Sequence, residues 1–565
     1  MGHKHPEMYK SPDNLNERKV ESVFMNDKKN RMDAAEEGTG LYEALVRYSD
    51  SDYYPYHMPG HKRNREAGAM ARYYGIDITE IDGFDNLHHA DSILKEAQQR
   101  ANRLYGNEDT ETYYLVNGST CGVLASVMAV TGKGDEILIS RNCHKSVYHA
   151  AILQELQLRY YYPPILGMYG ICDGVDAEEI DRLLRQYPDC RAVVITSPTY
   201  EGIISDVRAV ADAVHAQDKV LIVDEAHGAH LGLYENPPGA IAGGADLVIH
   251  SLHKTLPAMT QTALLHVQGE RVNRGKLAGY LSLLQTSSPS YVLMASMDSC
   301  IRYLETEGAE RYAYMQGQYD NFCRKTEKCR YIRIGDIKSV HKPCSSSACV
   351  GKEMRTSTAK AKETEEMAEG VWRTVFEDTV RKKHHMTGWD IGKLVIHVQD
   401  NLLGGQQLYD LLRDDYHLQM EMAAGNYVLA MMTIMDTEEG WQRLADALCR
   451  IDDRIEAGEF AESRESIAEW KDSLADINNG GAAEMSGSMT AAKAWLGKRE
   501  EVLLAESAGR VAADFINLYP PGIPLVVPGE VVRKETAAQI GESIRMGLQV
   551  QGVNCEEKIA VVCGL

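Results

Sequence analysis

From Leu41 to about Cys300 the chain alternates between two hydrophobic rhythms. Short apolar runs recur at Tyr113-Tyr114-Leu115-Val116, Glu136-Ile137-Leu138-Ile139, Ala192-Val193-Val194-Ile195, Val220-Leu221-Ile222-Val223 and Leu247-Val248-Ile249. Each has the length of a strand and is bounded by turn residues. Between them lie segments such as Asp206 to Gln217, with apolar residues at helical spacing. That alternation predicts an α/β fold: a mostly parallel sheet with helices on both faces, since parallel neighbours need crossovers and a parallel sheet is covered on both sides.

Beyond residue 300 the rhythm changes. A strand over Lys393-Leu394-Val395-Ile396 precedes a helix around 406–414, and a strand over 427–433 precedes a helix around 438–448. This predicts a smaller α+β C-terminal domain. Residues 1–38 are polar and aperiodic, and read as a poorly ordered extension. The resulting division is extension 1–38, large domain 39–305 and C-terminal domain 306–565. Two stretches of the last domain read as mobile insertions, 345–365 and the acidic 456–488.

Composition narrows the partners. At 565 residues the chain exceeds a single compact core, and 44% hydrophobic with 25% charged residues is ordinary for a globular protein. A net charge of -22 argues against nucleic acid or an anionic membrane surface. The 12 cysteines never form a C-x-x-C pair, and the spacings Cys323/Cys329 and Cys344/Cys349 match no common zinc site. The first residues lack a signal-peptide apolar region, and no apolar run approaches the roughly 20 residues that span a bilayer. Reduced thiols and a cytoplasmic location are the expectation.

Three features fall just after predicted strands, where open α/β sheets place ligands. The first is Asn117-Gly118-Ser119-Thr120-Cys121-Gly122 before a helix. Small residues there let backbone N–H groups and two hydroxyls wrap a phosphate, although they also suit a plain tight turn. The second is Val223-Asp224-Glu225-Ala226-His227-Gly228-Ala229-His230. Its acidic strand end could pair with a protonated pyridine nitrogen, hold a metal, or simply cap the strand; it lacks the helical pairing of H-E-x-x-H, and no metal is expected. The third is His250-Ser251-Leu252-His253-Lys254, where a lysine at a strand's end is costly unless it is paired or converted to an imine. Their order, with about 100 and then about 30 residues between them, carries more than any one of them.

With these motifs the chain resembles the ornithine/lysine/arginine decarboxylases, pyridoxal-phosphate enzymes of the aspartate-aminotransferase fold. The resemblance extends to Pro59-Gly60-His61-Lys62, Asp85-Asn86-Leu87-His88, Arg141-Asn142-Cys143-His144-Lys145-Ser146, Thr286-Ser287-Ser288-Pro289 and Tyr519-Pro520-Pro521-Gly522 with Pro528-Gly529-Glu530. It covers residues 41 to about 545 and looks like the shorter form, without an N-terminal wing domain. It implies that Lys254 holds pyridoxal 5'-phosphate as a Schiff base, Asp224 holds the pyridinium, and His144 stacks on the ring opposite Ala226. It further implies that Gly118, Ser119, Thr120, Ser251 and His253 surround the phosphate and that His227 approaches the ring hydroxyl. Ser287 or Ser288 would reach the phosphate of a neighbouring subunit, making a homodimer or higher even oligomer with shared sites. His61 and Glu530 would border the distal group of a basic amino-acid substrate, whose decarboxylation yields the amines of polyamine biosynthesis.

There are departures from the family pattern. Pro257-Ala258 stands where two small residues are usual, and Ala90 and Ser92 replace a usual Pro and Gly. The rival readings are another enzyme of the same fold, an aminotransferase or an oxoamine-synthase-like transferase, and a non-catalytic regulator that binds the cofactor.

Overall fold

The computed structural model describes residues 38–335, 385–460 and 489–564, apart from positions 65, 67, 167, 168, 235, 400, 401, 519–521 and 546. The proposed extension and nearly all of both proposed insertions lie outside the described residues, as do Tyr519, Pro520 and Pro521. The chain divides into a unit ending at Glu96 and a unit from Ala97 onward.

The second unit is built on a seven-stranded sheet. Across it the strands run Thr110–Leu115, Ala263–Gln268, Leu247–Ser251, Val220–Asp224, Cys190–Thr196, Glu136–Ser140 and Gln157–Tyr161. The last five pair in parallel, and Ala263–Gln268 is antiparallel to both its neighbours. All five expected strands are present. Alternate side chains enter two separate cores, as a period of two requires. Ile137, Ile139, Ile222 and Ile249 pack with the helix Gly118–Val130. Leu138, Val193, Leu221 and Val223 pack on the other side with the helices Ala177–Gln186 and Val207–Ala216. Burial on both faces is why these strands read as unbroken apolar runs.

Two strands of this sheet escaped the sequence reading. Gln157–Tyr161 is an edge strand with only Tyr161 fully buried, so it shows no apolar run. Ala263–Gln268 carries His266 at its centre, and that ring is satisfied inside the sheet. His266 Nδ1 lies 2.8 Å from Thr112 Oγ1, His266 Nε2 lies 3.1 Å from His250 Nδ1, and His250 Nε2 lies 2.8 Å from Glu225.

After the sheet, Tyr291–Thr326 forms a helix of 36 residues that runs through position 305. A four-stranded antiparallel sheet follows, in the order Ile332–Ile334, Lys393–Val398, Tyr427–Met431, Met422–Ala423. Helices Gly405–Asp414 and Glu438–Glu456 accompany it. Phe322 of the long helix meets Trp441 edge-on, with ring centroids 5.7 Å apart. Asp452 fastens this sheet's first strand: its carboxylate accepts from the N–H groups of Arg330 and Tyr331 at 2.7 Å and of Ile332 at 2.9 Å. Asp452→Ala strands three donors, and we expect it to cost about 3 kcal/mol, read as a lowered melting temperature. The C-terminal segment adds a three-stranded sheet and a two-stranded ribbon over a core of Ile516, Val526, Ile540 and Val561.

In the first unit, the helix Leu41–Ser49 buries Leu41, Ala44, Leu45 and Tyr48. The Asp85 carboxylate accepts from the N–H groups of Asn86, Asp91, Ser92 and Leu94. Among the described residues no helix is long and apolar enough to cross a membrane.

Candidate active site

The carboxyl ends of several strands of the sheet deliver side chains to one cavity of about 650 Å³. Thr110–Leu115 leads to Asn117, Gly118, Ser119 and Thr120, and Glu136–Ser140 leads to Asn142 and His144. Val220–Asp224 supplies Asp224, Ala226 and His227, and Leu247–Ser251 leads to His253 and Lys254. Gly118, Ser119, Thr120, His144, Asp224, Ala226, His227, His253 and Lys254 are thus brought to one cavity, whereas Ser251 does not line it.

Local chemistry explains each position. Gly118 has φ +72°, a left-handed turn that a side chain would strain, and it opens a helix whose first N–H groups have no helical acceptor. His144 caps the helix Lys145–Leu153, its Nδ1 accepting from the Ser146 N–H at 3.2 Å. Lys254 sits on the single turn Leu252–Thr255. That turn stops where Leu256 is extended, as a residue preceding proline tends to be.

Lys254 Nζ lies 2.9 Å from His227 Nε2. Where Nζ donates, Nε2 accepts and the neutral imidazole carries its proton on Nδ1. Burial pushes the Lys254 ammonium below the usual lysine range, partly opposed by Asp224 and reinforced by Lys393. Burial raises the Asp224 carboxyl, against the pull of Lys254. His227 is driven well below its ordinary value by burial and then by Lys254. Burial and Lys254 push His144 down to about 4, so at neutral pH it presents an uncharged ring. His253 is lowered mainly by burial, and its Nδ1 lies 2.9 Å from the Thr262 carbonyl to which it donates. Ser251 is fully buried, and its Oγ has no partner among the described residues.

Other expected residues lie elsewhere. Ser287 and Ser288 are exposed and do not line the cavity. Glu530 does not line it either: Arg141 holds its carboxylate at 3.1 Å and the Val527 N–H at 2.9 Å. His61 belongs to the first unit, stacked on Tyr74 at 4.2 Å and 3.2 Å from Asp77. The possible metal ligands of 224–230 diverge, Glu225 toward His250 and the Ala240 N–H, His230 toward Asp390. No metal-binding group of three side chains occurs among the described residues.

Sequence reasoning missed part of the wall. Thr199, Tyr200 and Glu201 follow the strand Cys190–Thr196, so the strand-end rule could have found them. Tyr427 Oη donates to Glu201 Oε1 at 2.9 Å, and burial raises the Glu201 carboxyl. Tyr200 lies over His227, with ring centroids 4.4 Å apart, and its hydroxyl donates to Glu421. Glu421 comes from the smaller sheet's neighbourhood and also lines the cavity.

The model of the Orn/Lys/Arg decarboxylase major domain matches residues 39–345, and that of the Orn/Lys/Arg decarboxylase C-terminal domain matches 477–542. The chain belongs to the Orn/Lys/Arg decarboxylase family. As a member it is a pyridoxal-phosphate-dependent decarboxylase acting on a basic amino acid. It is 28% identical to the arginine decarboxylase of Bacillus subtilis strain 168 over 521 residues, 91% of this chain and 95% of that protein. It is 24% identical to the inducible lysine decarboxylase of Escherichia coli K12 over 88% of this chain and 75% of that one. The fold matches solved lysine decarboxylase A from Pseudomonas aeruginosa with a TM-score of 0.73 at 18% identity, covering 96% of this chain and 82% of that one.

Proposed function

We propose that this decarboxylase acts on arginine, with Lys254, Asp224 and His144 as its catalytic side chains. The supporting observation is a buried amine, Lys254, facing Asp224 and His227 in a cavity whose wall carries two more carboxylates, Glu201 and Glu421. Acidic groups there suit a cationic side chain, and relatives that match nearly the full length bear the name arginine decarboxylase.

The residues fit pyridoxal phosphate. The helix N-terminus at Gly118, the hydroxyls of Ser119 and Thr120, and the orphaned Ser251 Oγ offer donors for a phosphate. His253 borders the same group. When bound, the cofactor supplies an electron sink for the pair left behind by carbon dioxide. Asp224, the carboxylate at that strand end, would pair with the ring nitrogen and favour its protonated form. His144, uncharged at neutral pH, and the small side chain of Ala226 both line the cavity and would flank the cofactor ring. Lys254 Nζ would hold the cofactor through its aldehyde and is the amine placed to move a proton at the substrate α-carbon. His227 accepts from Lys254, and so orients Nζ before the cofactor arrives. Ser287 and Ser288, exposed on this chain, are available to a second copy.

The test is release of carbon dioxide from arginine, lysine and ornithine by protein loaded with the cofactor. Arginine should be turned over fastest. Amino transfer dependent on an α-keto acid, without carbon dioxide, sinks the proposal. Glu421→Gln should raise KM for arginine by about tenfold with a smaller change in kcat, because it removes a charge-assisted contact made throughout the reaction.

A further inference from the structure

Two buried lysines attach to the same histidine. Lys254 Nζ reaches His227 Nε2, and Lys393 Nζ donates to the His227 carbonyl oxygen at 3.4 Å. Lys393 begins a strand of the smaller sheet and is only 1% exposed. A buried ammonium is destabilising unless paired. Here Asp390 Oδ2 lies 3.2 Å from it, and Asp390 Oδ1 faces His230 Nε2 at 3.0 Å. Burial works to raise the Asp390 carboxyl, but His230 and Lys393 outweigh it and hold the group ionised.

The same short segment grips the opposite wall of the cavity. The strand Met386–Trp389 pairs with Ile203–Ser205. Trp389 Nε1 donates to the Glu201 carbonyl at 2.9 Å, and the Asp390 N–H donates to the Gly202 carbonyl at 2.8 Å. Gly202 has φ +96°, and a Cβ there would sit 2.7 Å from the Lys393 Cβ. Lys393 thus stands where the turn bearing Tyr200 and Glu201 meets the loop bearing His227.

We propose that Lys393 is a positioning residue of the cofactor site, whose ammonium, held by Asp390, fixes His227 against Lys254 and stands as a second cation on the far side of that histidine. The charge balance around Lys254 Nζ is set by several elements. Asp224 and Glu421 favour its protonated form, while Lys393 disfavours it. His144, His227 and His253 face the same region and are each pushed toward the neutral form by burial. Around Lys393 stand Asp390, His230 and the His227 carbonyl. An amine that attacks an aldehyde carbon must be unprotonated, so a nearby cation assists Lys254 without touching the substrate.

This inference rests on Lys254 being the cofactor lysine. The experiment is a pH titration of the visible absorbance of the lysine-bound cofactor in the wild type, Lys393→Met, Lys393→Gln and Lys393→Arg. Loss of the charge should move the midpoint upward by about one pH unit in both the Met and Gln variants. The Arg variant should stay within about 0.3 unit of the wild type. Gln keeps an N–H donor toward His227 and serves where Met prevents folding. Uncharged variants that titrate like the wild type, or an Arg variant that moves as far as they do, overturn the proposal and leave Lys393 a packing residue. A wild type with no visible band overturns the cofactor assignment as well, so the two failures are told apart.

Discussion

Lys254→Ala should abolish the visible band of the lysine-bound cofactor and lower kcat for decarboxylation by at least about 10³-fold. The expectation follows from how the site is built. Lys254 is an amine in a cavity whose wall also carries the carboxylates of Asp224, Glu201 and Glu421 and the imidazoles of His144, His227 and His253. Its Nζ is held 2.9 Å from His227, and burial keeps it closer to the neutral, nucleophilic form than a surface lysine. In the proposed assignment, alanine removes both the covalent anchor and the group that moves a proton at the substrate α-carbon. Lys254→Arg keeps the charge but offers no comparable nucleophile, so it should fail to the same degree. Absorbance and carbon dioxide release, measured on variants whose circular dichroism matches the wild type, provide the check. A Lys254→Ala variant retaining a tenth of wild-type kcat would falsify the role.

Much of this site was legible because of the sheet that carries it. Strands buried on both faces show as apolar runs, and each run ends where ligands are placed, so Asp224 and Lys254 stand out as candidates, which their order along the chain and the family resemblance then joined into one site. The edge strand Gln157–Tyr161 left no such mark, since one of its sides faces outward. His266 disguised another strand, because a histidine inside a sheet reads as a break until its partners Thr112 and His250 are known. Glu421 and Lys393 were hidden for a different reason. Lys393 begins one antiparallel strand and Glu421 immediately precedes another, far along the chain, where no fixed spacing links them to Lys254. Lone charged residues there read as solvated surface, and only the fold shows that Lys393 is enclosed and Glu421 faces the cavity. The resemblance suggested Glu530 as a border of the substrate. In the described structure that carboxylate is engaged by Arg141, a partner that sequence spacing could not reveal.

Asp224→Asn should cut kcat by about 10²- to 10³-fold while leaving the protein folded. Asn matches the shape of Asp and can still accept from the Ala226 N–H, which lies 3.2 Å from Asp224 Oδ1. What it loses is the negative charge, and that charge has two jobs. In the proposed assignment it stabilises a protonated ring nitrogen, and so the electron sink on which loss of carbon dioxide depends. It also favours the protonated form of Lys254, which burial and Lys393 oppose. The sign of the second effect is fixed: with the carboxylate gone, the midpoint of the visible titration should move to lower pH. That is opposite to the shift expected for Lys393→Met, and general loosening of the site would not move two variants in opposite directions. Steady-state kinetics with arginine and the same absorbance titration measure both effects. A kcat within about threefold of the wild type, well under 1 kcal/mol in barrier, would show that Asp224 is not the partner of the ring nitrogen.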